Sequence, residues 1–336
     1  MRKNLRPVSA LEPVAGGPWS FRLMKEVLLN SSLSNEYYPT TSGVRRVLYL
    51  NEAPFVVEFS APDDKVLEVT VFGGPSERQM IEARVLGRRI FSLDHPVARI
   101  YCSMSLEPRL LTLCQELSGL RIIQTPSIFE MGATAIIGQQ VNLGFTAKLV
   151  RRMIGLWGKK IRLAGHTYIG FPTPESIRRL TKGELQSIQF SQRKAEYLLS
   201  FADAVASGEI NHDVFSELPD GEARERLTRR RGIGDWTADM ILMRALGRLD
   251  ILPSQDTGLR TAYGLVFHRE RPTSEELARL TSNWEGFRSY ATFYLWASLK
   301  HKGEALEGTA SSRNRARARR RGRRVSPAPE RLNSGF

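Results

Sequence analysis

Near residue 110 the chain changes its period, and that change restricts the fold more than any other feature. Before it, "VRRVLYL" (44–50), "PFVVEFSA" (54–61) and "KVLEVTVFG" (65–73) are β-branched and aromatic runs of strand length. They are parted by Asn51-Glu52-Ala53-Pro54 and Pro62-Asp63-Asp64. "SERQMIEARVLGRRI" (76–90) then takes helical spacing, with Ser76 as its N-cap. Beyond 110 helices dominate. The segment 126–158 reads as nearly continuous, and Thr173 before Pro174 and Glu175 opens another helix. Further helices are expected over 182–190, 191–208, 220–230, 275–284 and 287–303. No repeat recurs at a fixed period. The pattern predicts an α+β fold: a small N-terminal antiparallel β-sheet domain with helices (20–110), then a mainly α-helical domain (111–303). Residues 1–19, rich in Pro, Gly and Ala, read as a mobile leader. Residues 304–336, with almost no apolar side chains, cannot build a core and read as a disordered basic tail.

The formal net charge is +14, and "RNRARARRRGRR" (313–324) supplies eight of those charges, leaving a moderately basic body. Such a balance suits a polyanionic partner. Cys102 and Cys114 are the only cysteines, too few for a four-ligand cluster, and both read as small buried apolar residues. With no secretory h-region and no run of membrane-spanning length, the chain is read as cytoplasmic, reduced and without a membrane partner.

The densest information lies in "RRRGIGDWTADMILMRALGRLDILPSQDTGLR" (229–260), where a helix ends at Gly232-Ile233-Gly234 and another begins near Trp236. Glycines let the backbone turn tightly and approach a ligand, Ile233 anchors the turn, and free N–H groups at the next helix start favour a phosphate. Arg229, Arg230 and Arg231 add charge. Taken alone, this run also suits a plain helical corner.

The wider pattern resembles the HhH-GPD superfamily of DNA glycosylases. Leu227, Gly232, Ile233, Gly234, Trp236, Thr237 and Ala238 match its hairpin, and Leu252, Pro253 and Asp256 match its catalytic loop. "AIIGQQVN" (135–142), "SQRKAEYL" (191–198) and "WEGFRSYATFYLW" (284–296) match further segments in the right order. The β-rich first domain is similar to the 3-methyladenine DNA glycosylase II branch. One departure is Arg231, which stands where family hairpins usually carry proline.

That resemblance implies a set of roles. Asp256 is the catalytic carboxylate, facing the oxocarbenium character that builds on the sugar as an N-glycosidic bond breaks. The other acids of the run, Asp235, Asp239 and Asp250, read as a helix-start acid, an exposed helix residue and a turn residue. Trp236, Met240, Thr257 and Trp296 line the base pocket. Gln140 fills the gap left by an extruded nucleotide, with Gln139 beside it. Gly232, Ile233, Gly234, Trp236 and Thr237 hold DNA. Lyase relatives carry a Schiff-base lysine where Trp236 stands here, so a monofunctional enzyme using water is expected, and Lys182 and Lys194 read as surface residues. No cofactor and no iron–sulfur cluster are implied. A monovalent cation on the backbone carbonyls of Thr228, Arg230 and Ile233 is the one ion the resemblance suggests. The expected partner is double-stranded DNA containing damaged bases, met by a monomer at the nucleoid. A silent helix-hairpin-helix DNA-binding protein and an 8-oxoguanine-type glycosylase/lyase stand as alternatives. The first leaves Asp256 without a purpose, and the second is opposed by Trp236.

Overall fold

The computed structural model describes residues 6–30 and 36–299. Its first part is an antiparallel sheet in the order β1-β5-β4-β3-β2. These strands are β1 (Val8–Pro13), β2 (Tyr38–Pro39), β3 (Gly43–Leu50), β4 (Ala53–Asp63) and β5 (Val66–Phe72). Asn51 and Glu52, both with positive φ, close the β3–β4 hairpin between the paired Leu50 and Ala53. Helix α2 (Glu77–Ile90) covers the sheet, α1 (Phe21–Asn30) contributes Phe21, Leu23, Met24 and Leu28 to the same core, and α3 (Val97–Met104) and α4 (Pro108–Glu116) follow. Ser76 caps α2 through a capping box with Gln79. Gly87 lets α2 lie close to the sheet, since a Cβ there would press on Val69, Phe59 and Leu67.

The expected leader is part of this body. Residues 8–13 form β1 against β5, and Trp19 is buried. Between them the fully buried Arg121 guanidinium donates to the carbonyls of Ala15, Gly17 and Pro18, and to those of Ser92 and Leu93. A sheet-edge strand leaves most of its side chains exposed, and its inward Glu12 is a carboxylate paired with Arg84 and Arg88 of α2. Hydrophobic patterning therefore gave no sign of it.

The second part contains α5 (Ile128–Gly138), α6 (Leu143–Trp157), α7 (Pro174–Arg178), α8 (Lys182–Ser187), α9 (Gln192–Ala206) and α10 (His212–Glu217). After these come α11 (Asp220–Thr228), α12 (Asp235–Arg244), α13 (Thr257–Phe267), α14 (Ser274–Leu280) and α15, whose described residues are 288–299. The segment 126–158 is not one helix: it breaks at Gln139–Asn142, where Gln140 takes φ +57°. A two-stranded hairpin, β6 (Lys160–Leu163) and β7 (His166–Ile169), lies between two of the expected helices and outside every expected element. Its alternation of Lys160, Ile161, Arg162 and Leu163 before an Ala164–Gly165 turn is a strand signal. The hairpin lays Tyr168, Ile161 and Leu163 on Val47 and Val56, on the sheet face opposite the main core.

One hydrophobic core runs through both parts. Polar ties cross the seam as well: Arg46 of β3 donates to Glu130 of α5 at 2.8 Å in a buried pair, and His95 meets the Tyr290 hydroxyl at 3.0 Å. Cys114 is buried as expected, whereas Cys102 lies exposed on α3. No helix among the described residues is long and apolar enough to cross a membrane. The tail from 304 lies outside the described residues.

Candidate active site and helical hairpin

The turn between α11 and α12 is closed by Ile233 N–H donating to the Arg230 carbonyl at 3.0 Å. Gly232 sits at φ +96°, and a Cβ on it would fall 2.3 Å from the ring of Tyr197 on α9. Only glycine fits there, on both counts. Gly234 differs: φ is −92°, and a Cβ would point into open space. It is the N-cap of α12, with no side-chain acceptor for the helix's first N–H groups. Those donors remain available to an anion.

Two residues expected to touch DNA are interior. The Ile233 side chain is core and its N–H is already used, so its part is to anchor the turn. Thr237 is 1% exposed, and its hydroxyl accepts from Gln139 Nε2 at 3.0 Å. Asp239, expected on an exposed face, is 4% exposed and pairs with Arg224 of α11, so it ties the two hairpin helices together. Burial pushes its carboxyl up to about 7, against the pull of Arg224.

The two glutamines of "GQQ" part company. Gln139, the C-cap of α5, also donates through Nε2 to the Gly232 carbonyl at 2.8 Å, so the α5–α6 loop is tethered to the hairpin. Lys194, expected at the surface, is half-buried and donates Nζ to the Ile137 carbonyl at 2.6 Å, and desolvation lowers its pKa. It satisfies one of the orphan carbonyls at the end of α5. Gln140 is exposed and held left-handed, with Asn142 capping α6 just after it. This loop displays Gln140 and keeps Gln139.

Asp256 follows the Pro253 break, and its N–H donates to the Pro253 carbonyl at 2.8 Å. It is the N-cap of α13: Oδ1 accepts from Leu259 N–H at 2.6 Å. Oδ1 also accepts from Trp296 Nε1 at 3.0 Å, and Oδ2 accepts from Trp236 Nε1 at 2.9 Å. The two tryptophans therefore aim their N–H groups at the acid. Trp236 comes from the first turn of α12, and its ring lies beside Gly138 at the end of α5. Met240, one turn on, is buried, and Thr257 is exposed at the start of α13. Sequence reasoning missed Gly258, where a Cβ would stand 3.1 Å from Asp256 Oδ1 and 3.7 Å from Trp296 Nε1. The signal was a glycine two residues after the acid, inside a helix. Asp250 pairs with Arg288 at 2.8 Å, and Asp235 opens α12. Among the described residues no group of three His, Cys, Asp or Glu could hold a metal.

A family model described as the HhH-GPD superfamily base excision DNA repair protein matches residues 133–285, which enclose hairpin, loop and acid. The chain is 30% identical over 260 residues to a DNA-3-methyladenine glycosylase of Bacillus subtilis, covering 76% of this chain and 86% of that protein. The solved 3-methyladenine DNA glycosylase of Archaeoglobus fulgidus superposes with a TM-score of 0.76 at 26% identity, over 86% of this chain and 97% of that one. The Schizosaccharomyces pombe 3-methyladenine DNA glycosylase, solved in complex with abasic DNA, gives 0.52 at 27% identity over 60% of this chain and 97% of its own.

Proposed function

Because the chain belongs to the HhH-GPD superfamily of base excision DNA repair proteins and is a DNA N-glycosylase, we propose that it extrudes alkylated bases such as 3-methyladenine from duplex DNA and excises them by hydrolysis. It does so as a monomer working on the nucleoid in the cytoplasm. The single observation that carries this reading is the setting of Asp256, an acid fixed by three N–H donors beside the hairpin helix and the end of α5.

Oδ1 already accepts two hydrogen bonds and Oδ2 only one. Each carboxylate oxygen has two lone pairs, so Oδ2 is the atom free to face the sugar. As the bond between C1′ and the base lengthens, its electron pair leaves with the base. An alkylated purine is already cationic and departs neutral. The sugar gains positive charge, which the Asp256 carboxylate stabilises. Water then bonds to C1′ and gives up a proton, for which Oδ2 is the nearby acceptor. No amine is needed: Trp236 stands at the lyase position, and Lys194 is spent on the Ile137 carbonyl.

Gln140, exposed on its loop, is suited to enter the stack as the base leaves. The uncapped start of α12 is suited to a phosphate of the same duplex. The carbonyls of Thr228, Arg230 and Ile233 border the end of α11, where helix carbonyls lack intrahelical donors. This is an all-oxygen donor set, which fits a hard monovalent cation that would brace the turn.

The test is to incubate the protein with alkylated duplex DNA, assay free bases, and then heat in alkali. Free base with strand breaks only after alkali is expected. Breaks without alkali would favour the glycosylase/lyase reading. Tight DNA binding without base release would leave a silent DNA-binding protein.

A further inference from the structure

The arginine run before the hairpin is not uniform. Arg229 pairs with Glu225 at 2.7 Å and Arg230 pairs with Glu209. Arg231 has no carboxylate within ion-pair distance among the described residues, is exposed, and lies over the Tyr197 ring with 5.9 Å to its centroid. That ring is the one packed against Gly232, so Arg231 is braced beside the hairpin backbone. Arg193, in the first turn of α9, is also exposed and likewise without an acid partner among the described residues. Both line one surface hollow together with Ser191, Gln192 and Glu196. Glu196 is the acid of that hollow, and it is occupied: Lys182 Nζ donates to it at 2.9 Å and Gln192 Nε2 at 3.3 Å.

We propose that this hollow is a second anion site, in which Arg193 and Arg231 clamp one phosphodiester of the DNA next to the one held by the N–H groups of α12. The inference rests on the DNA-repair reading above, and it gives Arg231 a purpose at a position where the family usually carries proline. Two guanidiniums that line one hollow, whose own acid is already bonded to Lys182 and Gln192, favour a phosphate oxygen pair. The Arg231 N–H donates to no backbone carbonyl among the described residues, so a proline there would cost the turn no backbone hydrogen bond.

The test uses the full chain, with Arg231→Pro, Arg231→Lys, Arg193→Ala and the Arg193→Ala/Arg231→Pro double variant, each checked for an unchanged melting curve. Duplex affinity is measured against salt concentration. Arg231→Pro and Arg193→Ala should each weaken binding about tenfold and lower the log–log salt slope by about 1. The double variant should fall no more than about twofold below either single variant, because one phosphate is shared. Arg231→Lys should keep the slope. An unchanged slope in folded Arg231→Pro, or fully additive losses in the double variant, would overturn the clamp. Millimolar inorganic phosphate at constant ionic strength should not displace the duplex. Displacement from the parent protein and not from Arg231→Pro would reassign the hollow to free phosphate. A parent protein that binds with the expected slopes yet releases no base would sink the proposed function and leave the clamp standing.

Discussion

Two helix starts lie side by side at the centre of this protein and are finished in opposite ways. Helix α12 begins at Gly234, which offers no side chain to its first N–H groups. Helix α13 begins at Asp256, whose Oδ1 accepts the Leu259 N–H at 2.6 Å. Many other helix starts here are also closed by a side chain, Ser127, Asn142, Thr173, Thr181, Ser191 and Asn211 among them. An open start is a place for a ligand's oxygens; a closed one fixes the group that closes it. The same local chemistry thus yields an open row of N–H donors in one case, the basis of the proposed phosphate grip, and a rigid acid in the other.

The comparison breaks most sharply at Asp256→Asn. Asparagine caps helices as well as aspartate, so α13 should persist. Base release should still fall by about two orders of magnitude or more, because the stabilising charge is gone. Near-normal turnover by this variant would refute the assignment. On the hairpin side, Gly232→Ala combines a positive φ with a collision against Tyr197 and should cost about 3 kcal/mol of stability, read from denaturant midpoints. A Cβ at Gly234 meets no protein atom within 4 Å, so in Gly234→Asp the melting curve should hold, while the new carboxylate occupies the open N–H groups and affinity drops about tenfold for every DNA sequence alike. Unaltered affinity would reduce the hairpin to a corner.

Gly258→Ala should act only on the closed start. Its Cβ would push Asp256 Oδ1 by a few tenths of an ångström while meeting Trp296 at ordinary contact distance, and a severalfold slower single-turnover release with unchanged affinity is expected. The smallest effect on release should come from deleting 304–336, which removes no residue of either helix start. Eight arginines are lost from residues 313–324, so the salt dependence of binding should flatten while release from bound DNA is preserved. An unchanged slope would remove the tail from DNA binding.

Both helix starts were legible in the sequence because their signals are local: Gly-x-Gly, a proline break, an acid at a cap. What escaped was set by contacts distant in the chain. Asp239 looked exposed because α12 carries no polar face to compare it with; its residues Thr237–Met243 are all buried. Strand β1 hid behind an inward glutamate that becomes acceptable only once Arg84 and Arg88 arrive from α2. Lys194 looks like ordinary polar surface in sequence, yet it satisfies a carbonyl at the end of α5. The family resemblance gave Gln140 to the gap and set Gln139 beside it; the bond that turns Gln139 inward to the Gly232 carbonyl, 93 residues away in the chain, left no local signal.

The bond from Gln139 to the Gly232 carbonyl bears on how the protein searches a genome. That bond ties the α5–α6 loop to the hairpin. If the hairpin seats on the DNA backbone as proposed, each seating would also bring Gln140 towards the base stack, and every stop would be a probe of how easily that pair opens. Damaged or mismatched pairs, which cost less to unstack, would hold the protein longest. Recognition then begins as a difference in dwell time, before any pocket has examined the base.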